Sequence, residues 1–321
     1  MSNSHTYTHE RLVIGADGGG SKCDVMLLDE CGNVLGWGRG GSTAAMYCGM
    51  EAALACYTDA VHQAMGDYRP RELWIAGMLV SEFEAAGMEV PIKHEIPAHE
   101  MSMGLAMAME PYGILVLSGT GSFVYARTET GEDVHLDSLG PVLGDHGSGY
   151  QIGLNGIRAA CAANFSPRRT TILKDMVPKE MGVERPMDIY DLVYHQQIGR
   201  RTIATAGKAV VEAAEMGDGI AREIILEAAN DISEVLYDVI DRLGAADKDY
   251  ALVASGGIAQ NSPLFWSRVC ERAYEIAPKL RPIQPKIKPC GGAALLALKA
   301  IGVPWTKDLL ERIEQTQERF K

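Results

Sequence analysis

The sequence predicts an α/β protein of two domains, and three observations carry that expectation. At 321 residues the chain exceeds one simple core and suits two domains of about 100–200 residues. Short apolar runs of strand character alternate with longer segments of helical period. A strand–glycine turn–strand unit occurs twice, near residues 12 and 114, as a coarse internal duplication would leave it.

Taken in order, the start (1–10) is polar, lacks the apolar core of a secretory signal and is expected to be disordered. A first domain then spans 11–111. Residues 11–15 read as a strand, Asp17-Gly18-Gly19-Gly20-Ser21 as a glycine turn, and 23–28 as the returning strand. Gly32-Asn33 closes a further turn before a third strand, completing an antiparallel meander. Residues 50–65 carry Ala, Leu and Val at helical spacing, 72–78 is a short strand-like run, and 99–109 reads as helix.

The pattern restarts in a second domain, expected over 112–302. Its first strand, 113–117, leads into Ser118-Gly119-Thr120-Gly121-Ser122 and a returning strand at 123–127, with a further hairpin turn at 130–133. Long helical stretches follow at 152–161 and 188–243, the latter with Ile220, Ile224, Ile225, Ala228 and Ile232 on one face. A strand at 250–254 runs into a third glycine turn, Ser255-Gly256-Gly257, and helices are expected at 262–277, 291–300 and 309–320. The last segment, 303–321, is expected to pack back on the first domain, since chain termini often lie close together.

The net charge of −12 without a basic block argues against a nucleic-acid partner. No apolar stretch reaches the roughly 18–20 residues of a membrane span. The seven cysteines are odd in number and contain no Cys-x-x-Cys pair, which fits reduced thiols in a cytoplasm better than a disulfide framework or a zinc site.

A glycine turn directly after an apolar strand lets consecutive N–H groups face an anion. One such turn is also what a plain hairpin needs; three of them point to a polyphosphate. Asp17 beside the first turn makes sense there if a cation, for which magnesium is suited, separates it from phosphate. It reads equally as a turn-initiating Asp. Asp145, flanked by glycines in Leu143-Gly144-Asp145-His146-Gly147-Ser148-Gly149, is a second such acid or a helix cap. Lys22 can meet a phosphate as a point charge or stand as a solvent-exposed strand lysine.

These motifs resemble the actin-like ATPase and sugar kinase superfamily, and within it the BadF/BadG/BcrA/BcrD ATPases, especially their N-acetylglucosamine kinase-like branch. GADGGGSKC at 15–23, LSGTGSFVY at 117–125, LGPVLGDHGSGYQIG at 139–153, VASGGIAQNSPLF at 253–265 and GGAALLAL at 291–298 carry the resemblance in the family's order. It implies two ribonuclease H-like domains around a nucleotide cleft that holds ATP with Mg2+. Gly18, Gly19, Gly20, Ser21 and Lys22 match the first phosphate loop; Gly119, Thr120, Gly121 and Ser122 match the second. Gly256, Gly257 and Asn261 match the adenosine motif, and Asp17 and Asp145 the acids that organise magnesium.

Three departures bear on chemistry. Counting nineteen residues back from Gly119, where the family's sugar kinases carry a catalytic Asp, lands on Glu100, with His99 beside it. Glu100 is the candidate general base or a helix-start acid. In Gly41-Ser42-Thr43-Ala44-Ala45-Met46, Ala44 takes the place of a sugar-binding Asn, which leaves Ser42 and Thr43 as candidate acceptor contacts and predicts poor use of N-acetylglucosamine. His146 replaces the family's Glu, changing the charge beside magnesium or acceptor. The expected activity is phosphoryl transfer to a small-molecule hydroxyl of sugar or amino-sugar type, with a homodimer left open. The alternatives are an ATPase or a nucleotide-binding sensor that couples domain closure to a partner. Dehydratase activases of the family hold an iron–sulfur cluster, but their cysteine motifs are missing around Cys161 and Cys270.

Overall fold

The first apolar run folds as strand β1 (His9–Gly18). The computed structural model describes residues 7–20, 22–196 and 198–320. His9 and Glu10 therefore belong to a strand rather than to the disordered start expected through residue 10, and Thr8 N–H donates to the Arg69 carbonyl at 2.9 Å. The rest of that start, residues 1–6, lies outside the described residues. One unit of the chain runs to Pro111 and resumes at Pro285; the other spans Tyr112–Gln284.

In the first unit, β1 pairs antiparallel with β2 (Cys23–Leu28), and β2 with β3 (Val34–Gly40). Helices α1 (Ala45–Cys48) and α2 (Met50–Met65) lead to β4 (Pro70–Ala76), α3 (Val80–Ala85), β5 (Ile92–Ile96) and α4 (Glu100–Ala106). The sheet order is β3-β2-β1-β4-β5, with β4 and β5 parallel to β1. Strand β3 shows one use of the chain's glycines. Gly36, Gly38 and Gly40 recur every second residue and so share one face. A Cβ on any of them would collide with the α2 carbonyls of Ala64, Ala60 and Cys56, respectively, residues spaced by four along that helix. These glycines let a helix backbone lie directly on a strand.

The second unit repeats this plan. Strands β6 (Gly113–Ser118), β7 (Ser122–Arg127) and β8 (Asp133–Asp137) form the meander. Helices α5 (Gly149–Phe165), α6 (Leu173–Glu180), α7 (Asp188–Tyr194), α8 (Arg200–Glu215) and α9 (Gly219–Leu243) follow, then β9 (Ala251–Ser255), α10 (Gly256–Asn261), α11 (Pro263–Ile276) and β10 (Arg281–Ile283). The sheet order β10-β9-β6-β7-β8 is the first sheet's order element for element. The long helical stretch expected at 188–243 is three helices. Gly217, at φ +92°, turns the chain, and Asp218 caps α9 by accepting from Ala221 N–H at 2.9 Å. Gly244 ends α9 in the left-handed region at φ +58°. The third glycine turn is likewise a helix start, since α10 begins at Gly256.

The chain then returns to the first unit through α12 (Pro289–Ala300) and α13 (Lys307–Gln317). The sequence reading carried the second domain to 302, but α12 packs on β1. A Cβ on Gly15 would overlap the Cys290 carbonyl and approach Ala294 Cα to 2.9 Å. Cys290, Ala293, Ala294, Leu295, Ala297 and Leu298 are all fully buried, which is why this helix is apolar around its circumference. Leu309 and Ile313 of α13 are buried in the same cluster, and Thr316 Oγ1 accepts from Val34 N–H at 2.9 Å.

Candidate active-site residues

Strand pairing fixes the first glycine turn. Asp17 and Asp24 face each other in the β1–β2 register, and Gly19 N–H donates to the Lys22 carbonyl at 3.1 Å to close the hairpin. Added carbon at Gly18 would press on the Tyr57 and Thr43 hydroxyls, whereas a Cβ on Gly19 would meet nothing within 4 Å. The turn is therefore packed on one side and open at Gly19. Ser21, expected among the phosphate contacts, lies outside the described residues. The Gly19 carbonyl accepts from Thr43 N–H at 3.0 Å and from Ser42 Oγ at 3.4 Å. The expected acceptor loop is thus tied to the expected phosphate turn.

Charge at this turn is organised by a residue the sequence reading did not single out. Asp24 is only 1% exposed and accepts from Lys22 Nζ at 2.6 Å, Arg39 Nε at 2.7 Å and Trp37 Nε1 at 3.2 Å. Burial opposes its ionisation, but the Arg39 and Lys22 hydrogen bonds prevail and hold its pKa below the ordinary Asp value. An acid inside an otherwise apolar strand was the available signal, because such a charge requires partners. Lys22 is committed to Asp24, with the rest of its ammonium surface still partly exposed. Lys288, at the start of α12, lies 6.0 Å from the Trp37 ring, and burial together with Lys22 lowers its pKa. Asp17, by contrast, makes no side-chain hydrogen bond or ion pair among the described residues. Burial raises its pKa, while Lys22 and Lys288 pull it down and Asp24 pushes it up.

Glu100 is the first residue of α4. His99 precedes it as the cap: its Nδ1 accepts from Ser102 N–H at 3.3 Å, and Ser102 Oγ accepts from His99 N–H at 3.0 Å. This accounts for His99. A helix start should favour a carboxylate, yet the Glu100 pKa is pushed up to about 7, first by burial and then by the charge of Asp17. Its side chain keeps surface accessible to solvent, so the larger effect comes from the protein crowded around it rather than from enclosure.

In the second unit three glycines interlock. Gly119 N–H donates to the Gly121 carbonyl at 2.9 Å, and the Gly119 carbonyl accepts from Gly149 N–H at 2.7 Å. Gly256, at φ +84°, lies against the backbone of Ser118 and Gly119, with an added Cβ only 2.8 Å from Gly119 N. The hairpin Gly119–Ser122, the start of α5 and the start of α10 are therefore one backbone assembly. The Thr120 carbonyl accepts from Tyr150 N–H at 3.3 Å. Asn261 closes α10 by donating to the Gly257 carbonyl at 2.8 Å.

Asp145 sits against this hairpin at 4% exposure, in the left-handed region at φ +56°. Asp137, at the end of β8, holds it there by accepting from Asp145 N–H and His146 N–H, both at 2.8 Å. Asp137 Oδ2 also lies 3.1 Å from His146 Nδ1, within hydrogen-bond reach of that ring nitrogen. Arg200, the first residue of α8, donates from Nη2 to Asp145 Oδ2 at 2.8 Å. Neither Asp137 nor Arg200 was read from the sequence; their partners are distant along the chain and no local motif announces them. A recess of about 420 Å3 beside the 141–146 loop is lined by Asp145, His146, Gln151, Asn155 and Arg158, among others.

As magnesium ligands the two acids differ. Asp17 offers an uncommitted carboxylate, which fits contact to a hydrated cation. Asp145 has one oxygen taken by Arg200 and the other 3.5 Å from Ser122 N–H, leaving it suited to contact through water. Among the described residues no group of three His, Cys, Asp or Glu side chains could hold a metal unaided.

Two sheets of identical strand order, each with a glycine hairpin between its first two strands, define the actin-like ATPase and sugar kinase fold. The chain belongs to the BadF/BadG/BcrA/BcrD ATPase family, whose model matches residues 14–297. It is 28% identical over 203 residues to the N-acetylmuramic acid/N-acetylglucosamine kinase of Clostridium acetobutylicum, covering 63% of this chain and 66%, just under two thirds, of that protein. It is 23% identical over 318 residues to the N-acetyl-D-glucosamine kinase of Dictyostelium discoideum, covering 91% and 99%. A ROK family glucokinase from Streptomyces griseus, solved with glucose and AMPPNP, superimposes with a TM-score of 0.58 at 14% identity, covering 89% and 98%. No helix among the described residues is long and apolar enough to cross a membrane.

Proposed function

We propose that the chain is an ATP-dependent kinase that transfers the γ-phosphoryl group to a hydroxyl of a sugar or amino-sugar-like acceptor. The observation that carries this reading is membership of the BadF/BadG/BcrA/BcrD ATPase family over residues 14–297, with Glu100 at the head of α4 as the proposed general base. Family membership and the named activities of the relatives support the same reaction class.

On this reading Glu100 takes the proton of the acceptor hydroxyl as that oxygen bonds to the γ-phosphorus and the bond to the ADP oxygen breaks. Ser42, Thr43 and His146 are the proposed acceptor contacts. The Ser42 hydroxyl donates to the Gly19 carbonyl and accepts from Ala44 N–H, both at 3.4 Å, so an acceptor contact there would exchange one of these bonds. The open Gly19 side of the first turn and the Gly119–Ser122 hairpin would present N–H groups to phosphate, with Lys22 as a point charge. Gly256, Gly257 and Asn261 would receive the adenosine. Magnesium would offset the phosphate charge, held through water by Asp17 and Asp145. All seven cysteines are free thiols, and burial raises the pKa of Cys161 and Cys270 away from the thiolate an iron–sulfur cluster needs. A cytoplasmic setting belongs to the proposal on the same ground.

A coupled ADP-release screen across sugars, amino sugars and polyols, with magnesium, tests the reading. Stimulation by one acceptor class supports it. ADP release that no acceptor changes would instead define a plain ATPase.

A further inference from the structure

We infer that Arg200 is a nucleotide-binding residue, donating to a phosphoryl oxygen at the Gly119–Ser122 hairpin while Asp145 orients it. The inference rests on the proposed use of ATP and adds a cationic side chain to a hairpin otherwise made of backbone N–H groups.

Three observations carry it. The first is position. A Cβ on Gly121, at the tip of the hairpin, would come within 2.6 Å of Arg200 Nη2 and 3.0 Å of Asp145 Oδ2. The bare glycine is what leaves room for the guanidinium there. The second is capacity. A guanidinium has five N–H donors, and this one makes a single side-chain hydrogen bond among the described residues, from Nη2 to Asp145. The third is the Nε–H, which is shielded from solvent and has no acceptor among the described residues. Buried donors without partners are rare in native proteins and call for a specific account. The Arg200 side chain is nevertheless 38% exposed, so a ligand can reach the guanidinium.

An arriving phosphate explains all three together. A guanidinium is planar and matches two oxygens at once, so a small rotation can satisfy Nε while the Asp145 bond is kept. Asp145 then acts through Arg200 as well as through solvent. The competing account makes Arg200 only an ion-pair partner that fixes the Asp145 side chain in place.

Calorimetry separates the two, with AMPPNP plus magnesium and with adenosine as probes. Arg200→Gln is expected to weaken AMPPNP roughly ten- to a hundred-fold, the range of a lost charge-assisted bond, and to leave adenosine binding unchanged, which also reports an intact fold. Arg200→Lys should recover part of the loss. In an Asp145→Asn background the ion pair is already gone, yet Arg200→Gln should still weaken AMPPNP by a similar factor. Equal AMPPNP binding by parent and Arg200→Gln overturns the inference, as does a loss that vanishes in the Asp145→Asn background. A parent protein that binds no AMPPNP overturns the nucleotide reading and the role of Arg200 together.

Discussion

Asp17 and Asp24 face each other across the β1–β2 ladder, and of the two only Asp24 forms ion pairs among the described residues. Residues directly opposed in an antiparallel pair point to the same side, where like charges repel. Lys22 and Arg39 resolve the conflict by neutralising Asp24, so Asp17 stays available beside the glycine turn. Asp24→Asn should lower stability at pH 7 by about 1–3 kcal/mol, as for a buried partner lost to two donors. The sign with pH follows from its lowered pKa. The stability it contributes is complete above the ordinary Asp value of 3.8 and is lost as pH falls through the lower folded-state value. Denaturant titrations of parent and variant should therefore converge in strong acid.

Glu100 gives a kinetic signature. As a base with a pKa of about 7, it should make kcat/KM rise tenfold per pH unit below that value and level off above it. Glu100→Gln should lower acceptor-dependent turnover by about 10²–10⁴-fold and leave AMPPNP affinity nearly unchanged. Its raised pKa also has a thermodynamic sign. The folded state holds the Glu100 proton more tightly than the unfolded chain, a contribution present at low pH and lost as pH rises through 7. The Gln variant should then gain melting temperature relative to the parent at pH 8 but not at pH 4. A flat rate profile with undiminished turnover would leave Glu100 as a helix-start acid.

Two glycines should respond differently to alanine. Gly256→Ala forces an L side chain to φ +84° against Gly119 N, at about 2–4 kcal/mol. It should also weaken AMPPNP, because the hairpin backbone must shift. Gly38→Ala drives a Cβ into the Ala60 carbonyl and should destabilise to a similar degree, with adenosine binding of the folded fraction preserved. Thermal melts paired with calorimetry distinguish the two outcomes.

Ala44 precedes α1 as a cap residue with no side-chain cap bond. Ala44→Asn therefore places an amide where the loop lacks one and supplies a good cap at the same time. We expect N-acetylglucosamine to be a poor acceptor for the parent protein and its KM to fall in the variant, with melting temperature held or raised. Efficient phosphorylation of N-acetylglucosamine by the parent would show that other residues supply the missing contacts.

The parts legible in the sequence were those whose physics is local. The hairpin Gly119–Ser122 follows its strand directly, and the helical face through Ile224, Ile225, Ala228 and Ile232 lies within one element. The interruptions of 188–243 were hidden because the flanking segments all have helical period, and the break rests on Gly217 and the Asp218 cap. The site's charge pairs were not legible for a different reason. Arg200 and Asp145 are joined only by folding, and Asp24 meets Arg39 across a strand pair whose register no single segment specifies. Glycine itself misled in one place: the run Gly36, Gly38, Gly40 serves helix packing, and its period of two was the clue.

That run has a bearing on how acceptor preference can change. Gly36, Gly38 and Gly40 bring the β3 backbone directly onto α2, and Gln63 of α2 ties the two together by bonding both the N–H and the carbonyl of Arg39. The loop at 41–44 leaves one and enters the other by way of α1, and Gly19 tethers it midway. Its frame is accordingly stiff, and its identity is set by which side chains it displays. Under the proposed function, a lineage carrying this strand could trade one acceptor for another through single replacements at 42, 43 or 44 while the scaffold stays still, whereas a bulkier residue at 36, 38 or 40 would loosen the frame and forfeit that evolutionary freedom.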